Sequence, residues 1–99
     1  MMKKEATIKI RFLTTSEGGR HNSIKTDNYG CPILIEDGKG FDCRFVLEKI
    51  TTFELGMEYE IDIKFLNPKL ATKNIKEGDS ISLWEGKVIG KGIIKSIYQ

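Results

Sequence analysis

The sequence predicts an all-β protein, folded as a closed barrel or a sandwich. Apolar and polar residues alternate with a period of two through most of the chain, which is typical of half-buried strands. Turn signals with glycine or Asn-Pro separate about six such segments. The chain has 99 residues, of which 39% are hydrophobic and 30% charged. This size and composition are those of one globular domain, so we assign residues 1–99 to a single all-β domain.

Three strand-like segments occupy the first half of the chain. In "ATIKIRF" the apolar residues Ala6, Ile8, Ile10 and Phe12 share one face. The segments "CPILIE" and "FDCRFVL" follow, joined by "DGKG", which contains glycine and has the length of a hairpin loop. We therefore expect these two segments to pair as a hairpin.

The second half contains the longest alternation, "MEYEIDIKFL", which ends before Asn67-Pro68 because proline donates no ladder hydrogen bond. The segment "LATKNIKEG" (70–78) is the one place where a helical turn fits. "SISLWEG" and "KVIGKGIIKSIY" form the expected closing pair, and a change of apolar parity near Gly90 and Gly92 predicts a β-bulge or bend. Closure into a barrel would remove exposed sheet edges.

Composition excludes several classes of protein. The net charge of +2 is too small to indicate nucleic-acid binding by itself. No apolar run approaches the roughly 20 residues of a membrane-spanning helix. The start "MMKKEATIKI" has no apolar core of the kind found in signal peptides, so we expect a cytoplasmic protein without membrane contact. Cys31 and Cys43 form no CxxC pair, and one histidine cannot complete a zinc site, so we predict neither metal nor cofactor. Two buried thiols are the preferred interpretation, with a disulfide or redox role as the alternative.

No residue pattern indicates catalysis. His21 is the only general base of the usual kind, and Ser23, two residues away, does not make a catalytic triad. The chain contains no GxxxxGK[ST] motif for phosphate binding. The alternating carboxylates of "MEYEIDIK" are expected on a solvated strand face rather than in an acid–base pair. We predict that the protein is not an enzyme.

Two glycine-containing turns carry the binding candidates. In "SEGGRHNS" (16–23), Arg20 and His21 follow two glycines, and a guanidinium suits phosphate or carboxylate recognition. The alternative is a plain strand connection that carries solvated charge. In the second turn, "LWEGK", Trp84 either stacks on a base or packs against the barrel.

The motifs taken in order resemble the third, C-terminal domain of translation elongation factor Tu. The resemblance lies in "IRFLTTSEGGRH", "YGCP", "GMEYEIDIKFLNP" and "EGDSISLWEGKVIGKGII", and it extends from about Ile8 to about Ile97. The most specific elements are "EGGRH" (17–21) and "WEGKVIGKG" (84–92). The family's Tyr-Arg-Pro step is replaced by "YGCP", which has no arginine. The resemblance implies a six-stranded antiparallel Greek-key-like β-barrel.

The resemblance also implies a function and a set of contacts. In that family the EGGRH turn helps to contact the T-stem backbone of transfer RNA. Carried over to this sequence, Arg20 and His21 become candidate RNA contacts. Glu85 and Gly86 of the neighbouring turn join them, and Lys64 and Lys69 assist. The expected function is then a stand-alone, non-catalytic module, without a GTPase domain, that contacts structured RNA, with transfer RNA as the foremost partner.

A second function from a different class follows from the same resemblance. In the parent family this domain also meets protein surfaces, so a detached copy could act as a protein-interaction module for a translation-factor partner or competitor. The acidic outer face of "MEYEIDIK" favours this alternative, because it would repel RNA.

Overall fold

A computed structural model describes residues 4–98 and confirms the prediction of an all-β barrel. The strands alternate inward apolar and outward polar residues, as the period of two predicts. The elements are β1 (Ala6–Phe12), β2 (Ile24–Thr26), β3 (Gly30–Ile35), β4 (Gly40–Phe45), β5 (Thr51–Phe53), β6 (Glu58–Phe65), α1 (Pro68–Asn74), β7 (Ser80–Trp84) and β8 (Val88–Ile97).

Six of these strands close into an antiparallel barrel in the order β1-β6-β4-β3-β7-β8. In the barrel, β3 pairs with β4 and β4 pairs with β6, while β6 also pairs with β1, the first strand of the chain. A strand that returns to lie beside the first strand in this way makes a Greek-key arrangement. The barrel therefore confirms the architecture that the resemblance implied. β2 and β5 form a separate two-stranded sheet, which the sequence did not predict because each strand has only three residues.

The small sheet covers one end of the barrel. From β5, the Phe53 ring packs on the rings of Phe12, Phe45 and Tyr59, with centroid distances of 5.6, 5.7 and 5.0 Å. Phe12, Phe45 and Phe53 are all buried. Burial of each aromatic ring stabilises the fold by about 1.5–3 kcal/mol, so this aromatic cluster holds the loops that carry β2 and β5 against the barrel.

The predicted irregularity in β8 is present as two register shifts. The pairing with β7 passes over Ile89, and the pairing with β1 passes over Lys95. Gly92 lies between them, and a Cβ atom there would be 2.0 Å from the carbonyl oxygen of Lys9. Only glycine permits that approach, so the backbone of β1 and β8 can close the barrel tightly.

The helix begins at Pro68, two residues before the predicted segment. The Asn67 side chain accepts a hydrogen bond from the backbone N–H of Leu70 at 3.4 Å, and proline is favourable at the first helical position. The Asn67-Pro68 step thus ends the strand and also starts the helix. Within residues 4–98, no helix is long and apolar enough to cross a membrane.

The two cysteines are buried free thiols, as preferred from the sequence. They lie directly opposite each other in β3 and β4, and the Cys43 thiol donates to the Cys31 carbonyl oxygen at 3.3 Å. Burial raises the pKa of Cys31 to about 11, so the thiol remains protonated at neutral pH.

Candidate binding site

The "EGGRH" turn begins with a residue that has a structural role. The Glu17 carboxylate accepts hydrogen bonds from the backbone N–H of Thr14 at 2.8 Å and from its hydroxyl at 3.0 Å. The guanidinium of Arg11 lies 3.0 Å from the same carboxylate. The hydrogen bonds from Thr14 and Arg11 lower the pKa of Glu17 to about 2. Glu17 therefore anchors the turn to β1.

The two glycines of the turn are also required by local geometry. Gly18 has a φ of +92°, in the left-handed region that favours glycine. Gly19 is buried, and a Cβ atom there would be 2.3 Å from the carbonyl oxygen of Leu13. The first three residues of the motif are thus explained by the geometry of the turn. Arg20 and His21 remain as the residues of this motif that are candidates for binding.

Arg20 belongs to a cluster with two residues distant in sequence. Its Nη1 atom lies 2.5 Å from Oε1 of Glu85, while the Tyr29 hydroxyl donates to Oε2 of the same carboxylate. The side chains of Arg20 and Glu85 are 31% and 28% exposed. Burial raises the pKa of Tyr29 well above its usual value, and the hydrogen bond to Glu85 adds to that shift. We call these three residues the Arg20–Glu85–Tyr29 cluster.

The cluster brings together the two turns predicted as binding sites. Gly86 follows Glu85 at the β7–β8 hairpin, with a φ of +74° and open space beside its Cα. His21 is exposed, and its ring forms no hydrogen bond with any residue in the described part of the chain. Arg20, His21, Glu85 and Gly86 therefore occupy one region of the surface, as the resemblance implied.

Lys64 and Lys69 lie in different places relative to this region. Lys64 is on the outer face of β6, directly opposite Arg44 of β4, and Arg44 is in turn opposite Gly30 of β3. Neighbouring strands are about 4.8 Å apart, so Lys64 lies roughly 10 Å from Gly30. Lys69 is exposed in the first turn of α1, beyond the end of β6.

Arg44 is a candidate that sequence reasoning missed. Its side chain lies across Gly30, where a Cβ atom would be 2.7 Å from Cδ of Arg44. Gly30 follows Tyr29 in the chain, so Arg44 lies across β3 at the residue next to one member of the Arg20–Glu85–Tyr29 cluster. Among residues 4–98, neither Arg44 nor Lys64 has a carboxylate within 4.0 Å. We call these two residues the cationic row.

The carboxylates on the acidic outer face of β6 are paired with lysines, so this face carries less net negative charge than the strand sequence alone indicates. Each of its three carboxylates has a lysine ammonium nearby, contributed by β1, β8 or the chain before β1. The pairs are Lys9–Glu58 at 3.5 Å, Lys95–Glu60 at 2.7 Å and Lys4–Asp62 at 3.4 Å. Among residues 4–98, Arg44 and Lys64 on the outer faces of β4 and β6 have no such partner, and neither does the Asp42 carboxylate, two residues before Arg44 on the outer face of β4.

Exposed apolar residues flank the same surface. Trp84 is 38% exposed at the end of β7, so packing does not fully cover its ring. Leu66 and Leu70 are 61% and 51% exposed and line a groove of about 170 Å³ between the end of β6 and α1. These residues are available to stack or to dock.

The chain matches no protein-family model. A search of curated proteins gives no significant match either. Within the described part of the chain, no group of three or more His, Cys, Asp or Glu side chains is placed to hold a metal ion.

Proposed function

We propose that this chain is a non-catalytic, cytoplasmic binding module, related to the C-terminal domain of elongation factor Tu, that contacts structured RNA through the sugar-phosphate backbone. Transfer RNA is the first candidate. The observation that supports this proposal most is the cationic row, Arg44 and Lys64, next to Gly30, the residue that follows Tyr29 of the Arg20–Glu85–Tyr29 cluster. Two cations that have no carboxylate within 4.0 Å among residues 4–98 suit phosphate binding, since a phosphate then breaks no ion pair in that part of the chain.

The position of Arg44 supports both the proposed relationship to the C-terminal domain of elongation factor Tu and the proposed contact with RNA. The sequence lacks the arginine that follows tyrosine in the family's Tyr-Arg-Pro step, and glycine stands there as Gly30. The Arg44 side chain lies over Gly30 and supplies a guanidinium to that region from the neighbouring strand. A planar guanidinium can hold a phosphate through two parallel hydrogen bonds.

The Arg20–Glu85–Tyr29 cluster has a different part in the proposal. Because Glu85 holds the guanidinium of Arg20, Arg20 chiefly fixes the relative position of the two turns. Each carboxylate oxygen of Glu85 keeps a further acceptor site, which suits a ribose 2′-hydroxyl. His21 and Gly86 then present an exposed ring and an exposed backbone at the rim, and Lys69 adds charge at the periphery.

The test is the affinity for transfer RNA over a range of salt concentrations, measured by fluorescence anisotropy. Each phosphate contact contributes about 0.7–0.9 to the slope of log K against log salt. Replacing both members of the cationic row, Arg44→Gln with Lys64→Gln, should lower that slope by roughly 1.5 and weaken binding at low salt.

The matched control is Lys76→Gln with Lys91→Gln, which removes the same charge from the segment before β7 and from the outer face of β8. It should leave the slope close to that of the unmodified chain. Equal losses in the two double variants would mean that net charge, rather than the cationic row, attracts RNA, and the proposal would be wrong.

A second candidate function, protein interaction, is favoured by the exposed Leu66, Leu70 and Trp84. Tryptophan is enriched among the few residues that contribute most of the binding energy in protein interfaces, and contiguous exposed apolar residues mark interaction surfaces. Binding through them would change little with salt, and Leu66→Ser with Leu70→Ser would abolish it. Steep salt dependence together with normal binding by that variant would exclude this alternative.

A further inference from the structure

A second site lies along β6, in the direction of Glu60 and Asp62. There a cleft of about 510 Å³ separates the outer face of β6 from the segment that joins β4 to β5. Val46 and Leu47 form an apolar wall, Tyr98 contributes an aromatic ring, and Glu60 and Asp62 contribute carboxylates. The cleft is large enough for a small organic molecule.

The Asp62 carboxylate, 38% exposed, lines the cleft and is oriented by a hydrogen bond from β1. Thr7, only 4% exposed, donates its hydroxyl proton to Oδ1 of Asp62 at 2.7 Å. The Tyr98 hydroxyl lies 2.9 Å from the same Thr7 oxygen. Because Thr7 has one proton and gives it to the carboxylate, Tyr98 is the donor in that second bond. The chain Tyr98–Thr7–Asp62 therefore fixes both the carboxylate and the aromatic ring.

A cation of the chain itself occupies this site. The Lys4 ammonium is 3.4 Å from Oδ2 of Asp62 and 4.8 Å from the centroid of the Tyr98 ring. A carboxylate on one side and an aromatic face on the other are the two groups that recognise an ammonium ion. The other carboxylate, Glu60, is likewise occupied, by the Lys95 ammonium at 2.7 Å.

We propose that this cleft binds a small aliphatic amine, and that Lys4 is an internal competitor for the same position. The amine's ammonium donates to Asp62 and lies over the Tyr98 ring, while its methylene chain contacts Val46 and Leu47. Glu60 and Asp62 are two residues apart on one strand face, a separation of roughly 7 Å. A short diamine can therefore place one ammonium at each carboxylate. This site does not depend on the proposed RNA contact.

The test is an NMR titration of the ¹⁵N-labelled chain with putrescine at low salt, following the amides of Thr7, Asp62 and Tyr98. Putrescine should shift these signals with saturation. Lys4→Ala should tighten binding by about two- to fivefold, because removing an exposed ion pair of this kind releases the competing ammonium. Asp62→Asn, which keeps the shape of the side chain, should weaken binding at least tenfold.

The matched control is Glu58→Gln, which removes one carboxylate with its own lysine partner from the same strand face but outside the cleft. It should leave the putrescine affinity unchanged. Tetramethylammonium, a cation without N–H donors, should not saturate the site. The proposal is overturned if Glu58→Gln and Asp62→Asn weaken binding equally, if Lys4→Ala has no effect, or if tetramethylammonium binds as well as putrescine.

Discussion

The ion pair between Arg20 and Glu85 gives the sharpest prediction about how the site is held together. Fully exposed pairs are worth about 0.2–1 kcal/mol, whereas removing one partner of a buried pair costs about 3–5 kcal/mol. The side chains of Arg20 and Glu85 are 31% and 28% exposed, so the free energy of their ion pair should fall between the exposed and the buried case. We expect a coupling free energy of about 1 kcal/mol in a double-mutant cycle of Arg20→Ala and Glu85→Ala.

The single substitution Glu85→Ala should cost more than the coupling alone. It also leaves the partly buried Tyr29 hydroxyl without its acceptor, and a hydrogen bond to a charged group contributes about 1.5–3 kcal/mol. We expect a loss of about 2 kcal/mol, which corresponds to a Tm lower by roughly 8–16 °C for a domain of this size.

Urea unfolding monitored by circular dichroism provides the measurement, with the four members of the cycle compared under one set of conditions. The control cycle uses Lys9 and Glu58, a pair 3.5 Å apart whose side chains are 48% and 60% exposed. Its coupling should be below about 0.5 kcal/mol. If both cycles give the same small coupling, the Arg20–Glu85 pair does not join the two turns, and the reasoning is refuted.

Three further predictions concern the same part of the barrel. Because the folded-state pKa of Glu17 is lowered to about 2 from an ordinary 4.5, its stabilising effect is present above the ordinary value and lost as the pH falls towards 2. Glu17→Gln should thus lower the urea midpoint at neutral pH but not near pH 2; an equal loss at both would contradict this. Gly19→Ala should destabilise by at least about 2 kcal/mol, since the new Cβ would meet the backbone of Leu13, whereas Gly38→Ala, with open space at φ +89°, should cost only about 1 kcal/mol. Equal costs would show that Gly19 is not tightly packed. The raised pKa of Tyr29 keeps its phenol protonated through the usual range near 10, so the phenolate absorbance that develops there should be the same in Tyr29→Phe as in the unmodified chain; a smaller amplitude in the variant would show that Tyr29 ionises normally.

The barrel strands could be predicted because their signal is local. An alternation such as that of β6 shows directly which residues face inward, and the structure confirms it. β2 and β5 have three residues each, too few for a period to be visible. The sequence predicts the start of α1 two residues late, because Asn67-Pro68 indicates the end of a strand and the same two residue types also begin helices.

The candidate site could be predicted only in part, because charge pairing depends on which strands are neighbours. The outward position of Arg44 follows from alternation within β4, but its place opposite Lys64 depends on the register between β4 and β6. The same holds for the lysines that compensate the carboxylates of β6, which come from elsewhere in the chain. Only the motif order, through the resemblance, suggested that Arg20 and Glu85 would lie together.

The most direct test of the central claim is an NMR titration of the ¹⁵N-labelled chain with transfer RNA at low salt. If RNA binds at the cationic row and the two turns, the amides of Gly30, Arg44, Lys64 and Gly86 should shift or broaden first, and moderate salt should reverse the change. Perturbation confined to Leu66 and Leu70, or no perturbation at RNA concentrations that saturate weak backbone binders, would contradict it.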